Sequence, residues 1–191
     1  NQAIGQDGLF DDTQPTLAPT AIFGGSAQGG GIFITDSAIS ELSDTTFDSN
    51  VAQGGDDNPG FDNGGFGQGG AIAMNSAQLP MVQSCTFVNN QAIGGLVILP
   101  PPLTNNVKPI TGADLGHVGG AINADGVSVL TITNSTFSSN KAKQRGGALN
   151  LFTRNADVDP NVSFYSNTFT LNLAGENDGG GRSEEHTSEL Q

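Results

Sequence analysis

The chain has 191 residues, 28 of them Gly, and carries 19 acidic against 6 basic side chains, a formal charge of −13. Six Lys and Arg cannot form the positive surface that neutralises phosphates, so the composition argues against a nucleic-acid partner. The longest apolar stretch, 96–103, contains three consecutive prolines and is much shorter than the roughly 20 residues that span a bilayer. We therefore expect no transmembrane helix.

An internal repeat organises most of the sequence. The block Thr-Phe-x-x-Asn-x-Ala occurs four times, and upstream of each copy stands a Gly pair followed by a small and then an aliphatic residue. The Gly-containing segments span 29–32, 69–72, 119–122 and 146–149, and the blocks span 46–52, 86–92, 136–142 and 168–174. We number these pairs repeats 1 to 4, and Asn1 with Ala3 reads as the remnant of a further copy. The connectors between repeats vary much more in length than the repeats do.

The apolar residues of each repeat alternate with other residues as they do in β-strands. In repeat 1, Ile32 and Ile34 follow the Gly pair, and Leu42 stands five positions before Phe47. In every repeat a turn-forming residue stands three positions before the Phe of the block, and these residues are Asp44, Ser84, Asn134 and Ser166. We predict three short strands per repeat, separated by bends, and no helix.

Such short strands can bury their apolar side chains only by stacking one repeat on the next, about 4.8 Å apart. Stacking places equivalent residues of successive repeats over one another. The predicted columns include Phe47, Phe87, Phe137 and Phe169, which would stack ring on ring, and Asn50, Asn90, Asn140 and Asn172, which would form an amide ladder at a bend. The Gly pairs would supply a positive φ or a close backbone approach. The sequence therefore predicts an all-β fold, a parallel β-helix with sheets along three faces.

The pairing of Gly-Gly-Ala-Ile (69–72 and 119–122) with a downstream Phe-x-x-Asn resembles the repeat of polymorphic outer membrane proteins. More broadly, it is similar to the right-handed β-helix repeats of bacterial and some eukaryotic surface proteins. The resemblance covers nearly all of residues 1–181. It implies a right-handed parallel β-helix solenoid of about four to five coils, at the cell surface or outside the cell, associated with adhesion rather than catalysis.

We expect that neither end of the chain is a natural terminus. Residues 182–191 differ in composition from the Gly- and Asn-rich sequence before them. They resemble the translation of a widely used sequencing adapter, because all of them are encoded by AGA TCG GAA GAG CAC ACG TCT GAA CTC CAG. The chain also opens inside a repeat without an initiator Met. We predict a β-helix over 1–181, cut at both ends, and a non-native tail over 182–191.

Two oxygen-rich segments are candidates for a Ca²⁺ site. The connector 53–68 contains Asp56, Asp57 and Asp62 among Asn and Gly residues, a composition that solvated turns also have. The segment 157–161 has acidic or amide oxygens at alternate positions, but the Gly and the acidic residue that complete a calcium loop are missing. A metal site therefore remains unassigned, and we expect no cofactor.

No set of catalytic residues stands out. His117, in Gly116-His117-Val118-Gly119, weakly resembles the Gly-His-Gly of polygalacturonases, but the companion motifs of those enzymes do not accompany it. Glycoside hydrolysis needs two converging carboxyl groups, and the sequence does not indicate such a pair. Cys85 precedes Phe87 by two positions and should lie on the same strand face as a small buried thiol.

These observations support a non-catalytic, adhesin-like scaffold, with cell-surface or matrix glycans or proteins as expected partners. The alternative is a polysaccharide-degrading enzyme of the pectin lyase or polygalacturonase type, with its active site outside this segment. A third hypothesis is a calcium-stabilised spacer.

Overall fold

The computed structural model describes residues 1–6, 25–56, 64–77, 79–95, 118–127, 129–152 and 161–175. The adapter-like residues 182–191 lie outside this part of the chain. Within it the secondary structure consists of strands, with no helix. The short strands follow from the sequence, because apolar alternation runs for only a few residues before a bend interrupts it.

The strands follow the repeats. One strand, β1 (Gln2–Ile4), precedes repeat 1. Repeat 1 contains β2 (Ala27–Gln28), β3 (Ile32–Thr35), β4 (Leu42–Ser43), β5 (Thr46–Asp48) and β6 (Val51–Gln53). Repeat 2 contains β7 (Gly67–Gln68), β8 (Ile72–Asn75), β9 (Met81–Gln83), β10 (Thr86–Val88) and β11 (Gln91–Ile93). Repeat 3 contains β12 (Ile122–Asp125), β13 (Val129–Thr133), β14 (Thr136–Ser138) and β15 (Lys141–Ala142). Repeat 4 contains β16 (Leu149–Phe152), β17 (Asn161–Tyr165), β18 (Thr168–Thr170) and β19 (Leu173–Ala174).

Equivalent strands of successive repeats pair in parallel and form five sheets. In the order in which the chain visits them, these are sheet I (β2, β7), sheet II (β3, β8, β12, β16), sheet III (β4, β9, β13, β17), sheet IV (β5, β10, β14, β18) and sheet V (β1, β6, β11, β15, β19). Each repeat adds one strand to each of sheets II to V. The fold is all-β, with parallel strands in stacked sheets, as a parallel β-solenoid requires.

Sheets II, III and IV surround the apolar core. The inward-facing columns predicted from the sequence lie there, and their members in repeats 2 and 3, such as Ile72, Val82, Ile122 and Ile132, are fully buried. The Phe column runs through the core as a continuous stack, with ring centroids 4.7 to 5.0 Å apart and interplanar angles of at most 8°. The predicted register, in which Phe lies over Phe, is therefore confirmed.

The predicted bends are confirmed, and two further sets of left-handed positions are present. The first Gly of each pair has φ between 61° and 69°, and the turn formers Asp44, Ser84, Asn134 and Ser166 have φ between 47° and 53°. One set directly precedes each Asn of the ladder, directs the chain from sheet IV into sheet V, and consists of Ser49, Asn89, Ser139 and Leu171. The other set directly follows the sheet II strands of repeats 1 to 3 and consists of Asp36, Ser76 and Gly126.

The three predicted sheets are sheets II, III and IV, but the prediction was wrong in the number of sheets, because sheets I and V were not expected. Sheet V holds the Ala of the repeated block, and its members Ala52, Ala92, Ala142 and Ala174 are buried but lie outside the main core cluster. Sheet I lies against sheet V: β2 contacts β1 and β6, and β7 contacts β6 and β11. We call this two-layered part, sheets I and V, the arm. Each strand of the arm has only two or three residues and at most one buried residue, an Ala or a Gly, so it shows no apolar alternation by which a strand is recognised in a sequence.

Candidate functional site

The connectors between repeats leave and rejoin the solenoid at the end of the arm. Residues 7–24, 57–63 and 96–117 lie outside the described part of the chain, but the residues flanking them are described. Each of these segments follows a strand of sheet V and precedes sheet I or, at Val118, a bridge that continues it. The flanking residues, which we call the stems, are thus brought together although their sequence positions are far apart.

A ladder of backbone hydrogen bonds joins the stems of successive connectors. Gly25 N donates to Gln6 O at 2.7 Å, and Gly55 N donates to Gly25 O at 2.8 Å. Gly65 N donates to Gly55 O at 2.9 Å, and Gly95 N donates to Gly65 O at 3.0 Å. Residues that leave sheet V therefore alternate with residues that return to sheet I. Each connector begins and ends beside its neighbours, at a position that the backbone determines.

Glycine is required in the stems because backbone lies on both sides of them. A Cβ on Gly5 would overlap the carbonyl oxygen of Gly25, and a Cβ on Gly55 would overlap that of Gln6. A Cβ on Gly54 would likewise meet the carbonyl group of Gly65. Close approach of backbone to backbone is a common reason for glycine in a fixed position. At these glycine positions the close approach leaves no room for a side chain.

Sequence reasoning missed the stems as a site, although a signal was available. Gly pairs at 54–55, 64–65 and 94–95 bracket the connectors, in addition to the pairs that open the repeats. In the sequence these pairs do not stand out from the other glycines of the connectors. Only the hydrogen bond between residues 55 and 65 shows that these glycines join the two ends of a connector at the arm.

The residues suggested for Ca²⁺ binding do not form a cluster within the described part of the chain. Of the first segment, Asp56 is half-buried at a stem, and Asp57 and Asp62 lie outside the described residues. Of the second, only Asn161 is described, as the exposed first residue of β17. Among the described residues there is no group of three or more His, Cys, Asp or Glu side chains that could hold a metal ion.

The described charges are distributed unevenly along the solenoid. Asp36, Glu41, Asp44 and Asp48 are all exposed in repeat 1, whereas Lys141, Lys143 and Arg145 lie in or after β15, between repeats 3 and 4. His117, Lys108 and Arg154 lie outside the described residues. The four carboxylates of repeat 1 therefore lie two layers of the solenoid away from Lys141 in repeat 3.

Cys85 is a core residue, as predicted. Its side chain is 1% exposed, and its Sγ lies 3.3 Å from Gln83 O and 3.5 Å from Leu42 O. Burial raises the pKa of the Cys85 thiol above its ordinary value of 9.0. The thiol is therefore protonated at neutral pH and is a poor nucleophile.

Comparison of the chain with protein-family models, with curated proteins and with solved structures finds no match. In the part of the chain that the structure describes, no helix has the length and apolar character needed to cross a membrane.

Proposed function

We propose that the protein is a non-catalytic extracellular or cell-surface scaffold, adhesin-like in action, which presents its connectors to glycans or proteins of a cell surface or matrix. The observation that carries this proposal is the ladder of stems, from Gln6 to Gly95, which brings the ends of successive connectors together at one place. Variable loops carried by a rigid scaffold are a common arrangement for binding.

The separation of core and connectors supports the same proposal. The Phe stack and the columns around it lie in sheets II to IV, whereas the connectors depart from the arm. A change in connector length therefore leaves the core contacts intact, and the entropy of closing a longer loop rises only slowly with its length. Binding residues in the connectors can vary without a large loss of stability.

We infer a right-handed parallel β-helix of about four to five coils, related to the repeats of polymorphic outer membrane proteins. The Gly-Gly-Ala-Ile and Phe-x-x-Asn elements support this relationship, and the parallel register of the Phe and Asn columns is compatible with it. An extracellular location follows from the same relationship.

Connector replacement tests the proposed function. Residues 57–63 and 96–117 are each replaced by a short Gly-Asn-Gly linker, with the flanking Gly pairs 54–55, 64–65 and 94–95 retained. We expect the melting temperature to change by only about 2 to 4 °C, because the stems and the core remain. Binding to an array of matrix proteins and surface glycans should be lost for at least one replacement.

A matched control changes the outward face of sheet III instead. Met81 and Val129 are exposed there, and their replacement by Ser should leave both binding and stability near the parent values. If the connector variants bound as well as the parent, the binding surface would lie elsewhere and the proposal would be wrong.

The enzymatic alternative requires a different readout. The chain is incubated with acidic polysaccharides, and product formation is followed at the reducing ends and by the absorbance of unsaturated products. Turnover that a single Asp→Asn or Glu→Gln substitution abolishes would replace the scaffold proposal with a polysaccharide-degrading β-helix enzyme.

A further inference from the structure

The bend between sheets I and II points into the molecule. In repeat 3, a Cβ on Gly120 would overlap the backbone of Lys141 in sheet V, and the next residue, Ala121, belongs to the core cluster. The residues on either side of this apex close on each other, because a Cβ on Gly119 would lie 2.7 Å from Asn123 N. The same close approach recurs in the other three repeats. The outer side of the bend is therefore a groove that runs along the solenoid.

The outward columns of sheets I and II form the two walls of this groove, which we call the amide groove. The sheet I wall consists of Gln28, Gln68, Val118 and Arg145, and the sheet II wall consists of Phe33, Ala73, Asn123 and Asn150. Successive layers of a parallel stack are about 4.8 Å apart, so each wall presents one side chain per layer at that interval. The walls are accessible, since Phe33 and Arg145 are exposed and Gln68 and Asn150 are half-buried.

Amide side chains on both walls bond to each other along the solenoid. Gln28 Nε2 donates to Gln68 Oε1 at 2.7 Å, and Asn150 Nδ2 donates to Asn123 Oδ1 at 2.7 Å. Each bond uses one end of each amide. In both pairs, the carbonyl oxygen of the donor residue and the amino group of the acceptor residue have no further hydrogen bond within the described part of the chain. The groove therefore presents hydrogen-bond donors and acceptors together.

Asn123 is the residue of the groove that points to a ligand. Its side chain is only 3% exposed, and its Nδ2 donates to no acceptor among the described residues. A buried amide group without a partner lowers stability and requires an explanation. Packing does not supply one, because Ala73 occupies the equivalent position of repeat 2 and is equally buried. An acceptor atom that enters the groove would satisfy the Asn123 amide.

We propose that the amide groove binds an uncharged glycan chain, which lies along the solenoid with one of its oxygens accepting from Asn123 Nδ2. Sugar hydroxyls both donate and accept hydrogen bonds, as the amides of the two walls do. Phe33, 45% exposed at the repeat-1 end, presents an apolar ring face to the C–H groups of a sugar ring. A polyanionic glycan fits less well, because the groove residues include no carboxylate-binding cluster and the chain carries a formal charge of −13.

The groove rests on the proposed function for the class of partner only. It lies on the outer side of sheets I and II and is built from described residues, whereas the proposed function assigns binding to the connectors. The two sites can therefore be tested separately.

Isothermal titration calorimetry of the full 191-residue chain with cellohexaose, xylohexaose and mannohexaose tests the proposal. At least one of these neutral sugars should bind with a dissociation constant of about 10 µM to 1 mM. Asn123→Ala introduces the residue of repeat 2 and should raise this constant by about fivefold or more. Its melting temperature should stay within about 2 to 4 °C of the parent value. The control Gln83→Ala removes a half-buried amide from the outward face of sheet III and should leave binding unchanged.

Phe33→Ala keeps the test decisive if Asn123→Ala does not fold, because the Phe33 side chain is exposed and its removal leaves the core intact. This variant should also weaken binding. A parent that binds none of the three sugars, or groove variants that bind as the parent does, would overturn the proposal. Tighter binding of hexagalacturonate or of a Gly-Ser peptide than of every neutral sugar would overturn it as well.

The variants in which connectors 57–63 and 96–117 are replaced separate this proposal from the proposed function. Both should bind the neutral sugar as the parent does, because the groove residues are retained. Loss of sugar binding in either variant would assign the glycan to a connector, which would overturn the groove proposal and leave the proposed function standing. Retained binding of every partner in both variants, with loss of the sugar in Asn123→Ala, would contradict the proposed function and support the groove.

Discussion

The side-chain amide of Asn90 forms four hydrogen bonds that connect three repeats. Its Nδ2 donates to Asn140 Oδ1 at 2.9 Å and to Phe47 O at 3.0 Å. Its Oδ1 accepts from Asn50 N at 3.0 Å and from Asn50 Nδ2 at 2.9 Å. An amide has two donor hydrogens and two acceptor lone pairs, so the hydrogen-bonding capacity of Asn90 is fully used. Aspartate, which has no donor when ionised, cannot reproduce this pattern.

Asn90→Asp should therefore lower the free energy of unfolding by about 3 to 5 kcal/mol at pH 7, because it removes two donors and buries a charge. Burial would raise the pKa of the new carboxyl in the folded state above its unfolded value. The variant would then recover part of its stability as the pH falls and the carboxyl protonates. Urea denaturation of variant and parent at pH 7 and pH 4 measures this difference.

The neighbouring Asn89 provides the control. It is exposed, with φ +56°, and Asp tolerates this conformation nearly as well as Asn does. Asn89→Asp should change stability by less than about 0.5 kcal/mol at either pH. Equal losses for the two variants would mean that the buried ladder has no special contribution.

Phe137 lies inside the ring stack, with neighbouring centroids at 4.7 and 4.9 Å, and is fully buried. Phe137→Ala should cost about 3 to 5 kcal/mol, because it leaves a cavity and interrupts the stack. Phe33→Ala, at a position that is 45% exposed, should cost less than about 1 kcal/mol. Thermal melting of both variants compares the two sites. A Phe137→Ala variant as stable as its parent would contradict the assigned packing.

The two functions of glycine in the bends can be separated experimentally. A Cβ on Gly70 would overlap the carbonyl oxygen of Gly120 and the backbone of Gln91, so Gly70→Ala should cost about 3 kcal/mol or more. Gly126 has φ +71°, but the nearest atoms to an added Cβ are 3.6 Å away. Gly126→Ala should therefore cost only the conformational penalty, about 1 to 2 kcal/mol. Similar losses from chemical denaturation of the two variants would show that steric overlap at Gly70 is relieved by movement of the backbone.

The Cys85 thiol should resist labelling by a disulfide reagent at neutral pH until the protein is unfolded, because it is buried and protonated. The raised pKa also makes stability depend on pH. Below pH 9 both the folded and the unfolded thiol are protonated; above it the unfolded thiol ionises first, so stability falls as the pH rises past 9.

Cys85→Ser should remove this alkaline loss and retain the fold. Ser135 occupies the equivalent position of repeat 3, where its hydroxyl donates to Thr133 O at 2.8 Å. Denaturation curves of parent and variant between pH 8 and about pH 10.5 make the comparison. Rapid labelling of the native parent would contradict the buried position of the thiol.

Several structural features could be predicted residue by residue from the spacing of the repeats. The burial of Ile72 and Phe87, the ladder at Asn90 and the bend at Ser84 each follow from a side chain that recurs at the same place in every repeat. A side chain that recurs at the same position of each repeat predicts its own neighbours, because parallel stacking places equivalent positions of successive repeats next to each other. The core and its register were predictable for this reason.

The arm and the stems could not be predicted in the same way. The strand Gln91–Ile93 is held by backbone hydrogen bonds and by packing of Ala92, and neither leaves an apolar alternation in the sequence. The pairing of Gly55 with Gly65 depends on where the chain returns after a connector of variable length. Glycine permits many backbone conformations and specifies none of them. The conformation of a stem glycine can therefore be assigned only once the backbone segments that lie next to it are known.

The sequence by itself determined the repeat, its inward-facing columns and the polar ladder, because these depend on side chains whose chemistry recurs. The tertiary structure alone decided that the connectors depart from a common arm and that the stems of successive connectors bond to one another. Both features arise from the relative positions of backbone segments that are distant in the chain. No local pattern of residues encodes such positions, and they emerge only when the layers are stacked.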